Sequence, residues 1–174
     1  ATEARATTRR RLDSTRMHTC NIFMKKERSF FEYEQFSSST DLDPEDARLL
    51  DEARNTTKNA YAPYSKFHVG AALLTEDGKV YQGCNIESSS YSLTICAERV
   101  AAFKALSEGE KDFAALALAS DDPGFCSPCG ACRQVMLDLL GNIDIAMVNK
   151  ENELKVVQLS ELLPFAFSDE KLKR

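Results

Sequence analysis

At 174 residues with 43% apolar side chains, the chain is long enough to bury one sizeable core and too apolar to be a disordered composition. Its net charge of −5 is unevenly spread: residues 1–36 carry eight basic and five acidic side chains, and residues 37–174 carry fourteen and twenty-two. An acidic main body binds polyanions poorly, because phosphates must be met by Lys and Arg, so the balance argues against a nucleic-acid polymer and for a small, uncharged or cationic substrate.

No apolar run is long enough to cross a bilayer, and no hydrophobic signal core follows the start. The six cysteines therefore read as reduced thiols of a cytoplasmic protein, available for metal or catalysis, rather than as a disulfide framework. Residues 1–40 are small, polar and Arg-rich without an apolar period and end in SSST, which predicts a disordered extension before a domain at 41–174. An organelle-targeting segment is the other reading of this stretch; Glu3 and Asp13 count against it.

Asp43 and Pro44 predict a helix start, with Glu45 and Asp46 in the first turn where the dipole favours anions, and Ala47, Leu49, Leu50 and Ala53 supply its buried stripe. KFHVGAALLTEDGKVYQGCNI reads as two strands around the turn E-D-G-K. TICAERVAAFKALSEG predicts a helix capped by Thr94 and ending at Gly109, and FAALALAS a central strand. CGACRQVMLDLLG predicts a second such helix, ending at Gly141; NIDIAMVN and ELKVVQL are strands, and LSELLPFAF a short helix and coil. The order α-β-β-α-β-α-β-β-α predicts helices on both faces of one sheet.

The stretch FCSPCGAC holds Cys126, Cys129 and Cys132 in two overlapping C-x-x-C pairs, the usual spacing of thiolate ligands to zinc. Pro128 suits a helix start, which puts Cys129 and Cys132 in the first turn on one face and leaves Cys126 in the preceding loop, a bystander. Cys96 opens the other helix in T-I-C-A-E-R, so two helix N-termini would bring three thiolates to one cation, their dipoles favouring the ionised sulfur. Three protein ligands leave a fourth position for water, and Glu98, two residues after Cys96, is then a general acid/base candidate. Arg99 or Arg133 could offset the negative charge of such a site by touching a ligand sulfur.

Zinc deaminases share a signature of H-x-E followed by P-C-x-x-C. With Cys as the first ligand, and with YAPYSKFHVGAALL, GCNIESSSYSLTICAERVAAFKA, SPCGACRQVM and ELLPFAF in order, the chain closely resembles the cytidine deaminases of the small homotetrameric class from about residue 42 to 172. The resemblance implies a three-layer α-β-α fold with a five-stranded mixed sheet. It implies one Zn2+ per subunit on Cys96, Cys129 and Cys132. It also implies hydrolytic deamination of cytidine and deoxycytidine in pyrimidine salvage, by zinc-bound hydroxide attack on C4 with Glu98 as proton shuttle. On the same footing Asn85 and Glu87 would bind the ribose, while Phe67, Tyr91 and Ala97 would line the substrate pocket and Arg99 would stand behind a ligand sulfur. Phe167 would reach a neighbouring subunit's pocket in a homotetramer with shared active sites. Two departures stand out: E-S-S-S, with Ser88 and Ser89, where E-N-A is frequent, and His68 where proline is common.

Two other readings share the motif. A zinc-stabilised, non-catalytic scaffold would use Cys126 as a fourth thiolate and would not need Glu98. A deaminase of a cytosine nucleoside antibiotic would keep the zinc site, with the N-I-E strand and the aromatic tail counting against it.

Overall fold

The runs VGAALLT and FAALALAS become the central strands of one sheet in the computed structural model, which describes residues 30–38, 42 and 44–168. In chain order the strands are β1 (Glu34–Phe36), β2 (Val69–Thr75), β3 (Val80–Cys84), β4 (Phe113–Ser120), β5 (Asp144–Val148) and β6 (Leu154–Gln158). The helices are α1 (Pro44–Thr56), α2 (Ala97–Ser107) and α3 (Gly130–Leu140). Across the sheet the order is β1-β6-β5-β4-β2-β3, antiparallel at every pairing except β4 with β5. That parallel pair is joined through α3, as a parallel connection requires. All of these elements belong to the unit formed by residues 31–174.

Strand β2 is buried at every position, which is why it reads as an unbroken apolar run rather than an alternating one. Its two faces still differ. Ala71 and Leu73, with Leu116 and Leu118 of β4, pack in a cluster with Ala101 and Ala105 of α2 and Met136 of α3. Ala72, Leu74, Ala117 and Ala119 pack in a second cluster with Leu49, Leu50 and Ala53 of α1. The period-2 alternation of side chains thus separates three layers, α1 on one face and α2 with α3 on the other.

Two glycines let the helices come close. A Cβ on Gly70 of β2 would stand 2.1 Å from the Ala53 carbonyl oxygen in α1, and one on Gly83 of β3 would stand 2.3 Å from the Ala97 carbonyl oxygen and 2.4 Å from the Ala101 nitrogen in α2. Only a residue without a side chain fits between strand and helix backbone at these points.

The sheet has six strands where five were expected. The extra one, β1, lies inside the stretch expected to be a disordered extension, pairs Glu34–Phe36 with Val156–Leu154, and sends Phe36 against the α1 cluster. Three residues with two polar side chains carry no readable alternation, which is why the strand escaped. Thr94 does not cap α2: the cap is Cys96, and the Thr94 hydroxyl instead accepts the Ser88 N–H at 3.1 Å. The Asp43 cap and the readings of residues 1–29 lie outside the described residues. Among the described residues no helix is long and apolar enough to cross a membrane.

Candidate metal centre

Both helices of the second layer begin on a cysteine. Cys96 is the N-cap of α2 (φ −80°, ψ 156°) and Cys129 the N-cap of α3 (φ −67°, ψ 161°), and neither side chain bonds its own helix's amides. Cys132 follows in the first turn of α3. The three Sγ atoms lie within 4.8 Å of one another, with Cys96 and Cys129 at 3.9 Å. Sulfurs bound to zinc at about 2.3 Å with tetrahedral angles stand roughly 3.8 Å apart, so the spacing suits that ion, and soft thiolates select it over hard cations. Cys132 is buried, Cys96 half-buried and Cys129 exposed, which grades the cluster from core to surface. Cys126 is not part of the cluster; it packs against the core, and burial, then the charge of Glu98, pushes its thiol up to about 12.

Arg99 Nη2 lies 3.6 Å from Cys96 Sγ. The Cys96 thiol is drawn down to about 5, first by a hydrogen bond from Cys132 and then by those from Arg99 and Cys129, while the Cys132 thiol, the donor to Cys96, is pushed up. Arg133 touches no sulfur. It donates to the Pro128 carbonyl at 2.8 Å, the Leu162 carbonyl at 2.8 Å and the Ser127 hydroxyl at 2.9 Å, tying the cysteine loop to the C-terminal segment.

Glu98, in the first turn of α2, is only 4% exposed. Burial raises its carboxyl, and the negative charge of Cys96, two residues before it, adds to that. A buried carboxyl with a raised pKa beside an open metal corner can both take up and release a proton. Ala97 precedes it and is fully buried, so a ligand could meet only its backbone; as the first helical residue its N–H has no partner within the helix.

Asn85 and Glu87 stand on either side of Ile86, which bridges Tyr61 and Ile95. Asn85 Oδ1 accepts the Val69 N–H at 2.8 Å and its Nδ2 donates to the Phe67 carbonyl at 2.8 Å. Glu87, 7% exposed, accepts the Tyr64 and Ser65 N–H groups at 2.9 and 3.2 Å, and the Ser65 hydroxyl first, then these amides, hold its carboxyl below the usual range. Both residues therefore also scaffold the turn that carries Phe67. The Phe67 and Tyr91 rings are exposed, Tyr91 5.9 Å from Tyr64 between centroids. Phe167 and Phe165 are exposed, at 60% and 100%, and Gln134 of α3 donates to the Phe167 carbonyl at 2.9 Å. Phe167 thus lies beside the helix that bears Cys132. Sequence reasoning missed Asp121, whose carboxylate meets His68; the residues are 53 apart in sequence, and nothing local links them.

Residues 43–145 match a family model described as the cytidine and deoxycytidylate deaminase zinc-binding region. Among curated proteins, a cytidine deaminase of Sporosarcina psychrophila is 50% identical over 126 residues, covering 72% of this chain and 93% of the relative. One from Halalkalibacterium halodurans is 49% identical over 123 residues, covering 70% and 93%. Among solved structures, the cytidine deaminase of Burkholderia pseudomallei superposes with a TM-score of 0.67 at 46% identity, covering 69% of this chain and 97% of that one.

Proposed function

The chain belongs to the zinc-dependent cytidine deaminase family, and from that premise we propose that it hydrolyses cytidine and deoxycytidine to uridine and deoxyuridine. The observation that carries this reading is the buried Glu98 carboxyl set against three clustered sulfurs. Cys96, Cys129 and Cys132 would hold one zinc ion per subunit. When bound, the ion supplies a water acidified to a pKa near ~7, a nucleophile available at neutral pH.

The remaining work falls to the chain's own groups. Glu98 takes a proton from the attacking water and delivers it to N3 of the cytosine as the new C4–O bond forms. It then carries the proton of the new C4 hydroxyl to the amino group as the C4–N bond breaks, the carbonyl forms and ammonia leaves. Its burial suits that double role, because a carboxyl with a raised pKa accepts the water's proton more readily and still gives it up to a more basic nitrogen. Arg99 offsets sulfur charge. Asn85 and Glu87 would meet the ribose hydroxyls, Phe67 and Tyr91 the faces of the nucleoside, and the Ala97 N–H a polar edge.

On this reading the catalytic domain is 41–174, with 1–40 an extension that lends β1 to the sheet. Phe167, exposed in the single chain, would complete a neighbour's pocket in a homotetramer, and the enzyme would serve pyrimidine salvage in the cytoplasm. The test is to incubate zinc-loaded protein with cytidine, deoxycytidine and CMP and follow loss of cytosine absorbance, with the particle's mass measured in parallel. Turnover of the two nucleosides is expected from a tetramer. An inert protein that loses its metal when Cys126 becomes Ser would replace this reading with the scaffold.

A further inference from the structure

Four of the six amides in the turn before β2 are held by side chains from elsewhere in the chain. The six successive amides all have acceptors: Tyr64 and Ser65 on Glu87, Lys66 on the Ala62 carbonyl at 3.1 Å, Phe67 on the Ser65 hydroxyl at 3.1 Å, His68 on Asp121 Oδ1 at 3.1 Å, and Val69 on Asn85. Lys66 sits at φ +59°, a left-handed conformation that a long side chain adopts only when its surroundings enforce it. Two of the enforcing residues, Asn85 and Glu87, belong to the nucleoside site proposed above. Asp121 does not.

Asp121 lies one residue past β4 and makes three links to His68: Oδ1 to the His68 amide, Oδ2 to the ring Nδ1 at 2.6 Å, and its own N–H to the His68 carbonyl at 3.3 Å. Asn85 grips the residues on either side, through the Phe67 carbonyl and the Val69 amide. Residue 68 is thus fixed by its side chain and its backbone, and Phe67, directly before it, inherits that orientation. A proline at 68 would have neither the amide nor the imidazole. Burial works against the Asp121 carboxylate, yet the hydrogen bonds from His68 hold it ionised below the usual range, so the acceptor is present throughout the neutral region.

We propose that Asp121, acting through His68, is a positioning residue that sets the Phe67 ring against the nucleoside; this rests on the deaminase reading of the pocket. The clamp is made in free and bound enzyme alike, so it contributes to ground-state binding and transition state equally. It belongs to the turn and not to the metal centre.

The experiment compares the full zinc-loaded chain with its Asp121→Ala and Asp121→Asn variants, the latter keeping an acceptor for the His68 amide. Amide hydrogen exchange is read over residues 64–69, together with KM and kcat for cytidine, zinc per chain and the unfolding midpoint. Asp121→Ala is expected to speed exchange at 67–69 about tenfold. It should also raise KM about fivefold with kcat within about twofold, leaving zinc unchanged, and Asp121→Asn should fall between. Unchanged exchange, or an unchanged KM, overturns the proposal. So does a fall in midpoint and zinc together, which marks a merely structural residue. A wild type inert toward cytidine would sink the deaminase reading alone, and exchange at 67–69 would still decide for or against the clamp.

Discussion

Replacing Gly83 by Ala adds one methyl group at the seam between the sheet and the helix that bears Cys96 and Glu98. The new Cβ would stand 2.3 Å from the Ala97 carbonyl oxygen, 2.4 Å from the Ala101 nitrogen and 3.1 Å from the Ala101 Cα. Ordinary contact needs about 3.4 Å, so the first turn of α2 must retreat by roughly 1 Å. All three obstacles are backbone atoms, and no flexible side chain can yield instead. Overpacking of this kind costs about 1–3 kcal/mol. The functional loss is expected to be larger in proportion, because Ala97 and Ala101 bracket Glu98 and the same turn is capped by Cys96. Metal ligands tolerate displacements of only about 0.2 Å, and a misplacement near 1 Å costs on the order of a hundredfold in rate. Urea unfolding with a zinc determination on the same samples measures both effects. Gly130→Ala is the control: it lies in the first turn of α3 with nothing within 4 Å of its Cβ, and should shift stability by no more than about 0.5 kcal/mol. A Gly83→Ala protein within about 0.5 kcal/mol of wild type, fully loaded and fully active, would refute the close packing on which this reasoning stands.

Three further outcomes test the site and its surroundings. Glu98→Gln should lower kcat by about 10²–10⁴-fold while zinc per chain stays unchanged; joint loss of metal would show that the carboxyl serves the fold instead. Cys132→Ser should strip the zinc and Cys126→Ser should retain it, measured by metal analysis after dialysis, since only the former lies in the sulfur cluster. At the far end of the hairpin, hydrogen bonds from Lys79 at 2.8 Å and then Tyr81 at 2.8 Å hold the Glu110 carboxyl below its usual 4.5. A carboxylate depressed in the folded state stabilises above its unfolded pKa, and that contribution fades as pH falls through the folded value. The melting temperature of Glu110→Gln should therefore lie below wild type at neutral pH and converge with it below about pH 4.5; curves that stay parallel would contradict the pairing.

The elements that the sequence announces are those whose signal is local and strong. E-D-G-K between apolar runs could only be a hairpin turn, and the proline before C-G-A-C marked a helix start that the structure has one residue after Cys129. FAALALAS declared itself as a central strand by being too apolar for a surface, and Leu116 and Leu118 in it are fully buried. The grouping of Cys96 with Cys129 and Cys132 was legible because spacing and helix termini converge on one chemistry. What stayed hidden depends on partners far along the chain. β1 exists because β6 offers an edge, not because E-Q-F prefers a strand. Thr94 has a good capping side chain, yet the 3₁₀ turn at Tyr91–Leu93 ends on it and hands the cap to Cys96. Arg133 looked like a neighbour for sulfur, but its donors go to two carbonyls and a hydroxyl, one of them 29 residues away.

The topology also answers an electrostatic difficulty in a three-thiolate site. Zinc with three thiolates carries a formal charge of −1, which on its own would weaken its pull on a water molecule. β3 and β4 both run antiparallel to β2, so they point the same way, and α2 and α3 each follow the carboxyl end of one of them. Crevices outside the carboxyl ends of strands are where sheets of this kind bind ligands. Here that end also collects two helix N-termini, each equivalent to roughly half a positive charge, with a cysteine as the capping residue of both. Arg99 adds a full charge 3.6 Å from Cys96 Sγ. The sum of about +2 more than offsets the excess, and it arises from backbone direction and one side chain rather than from any change of ligand. A fourth thiolate would consume that balance and fill the fourth coordination position. The Cys126 side chain, packed against the core and outside the sulfur cluster, leaves both intact.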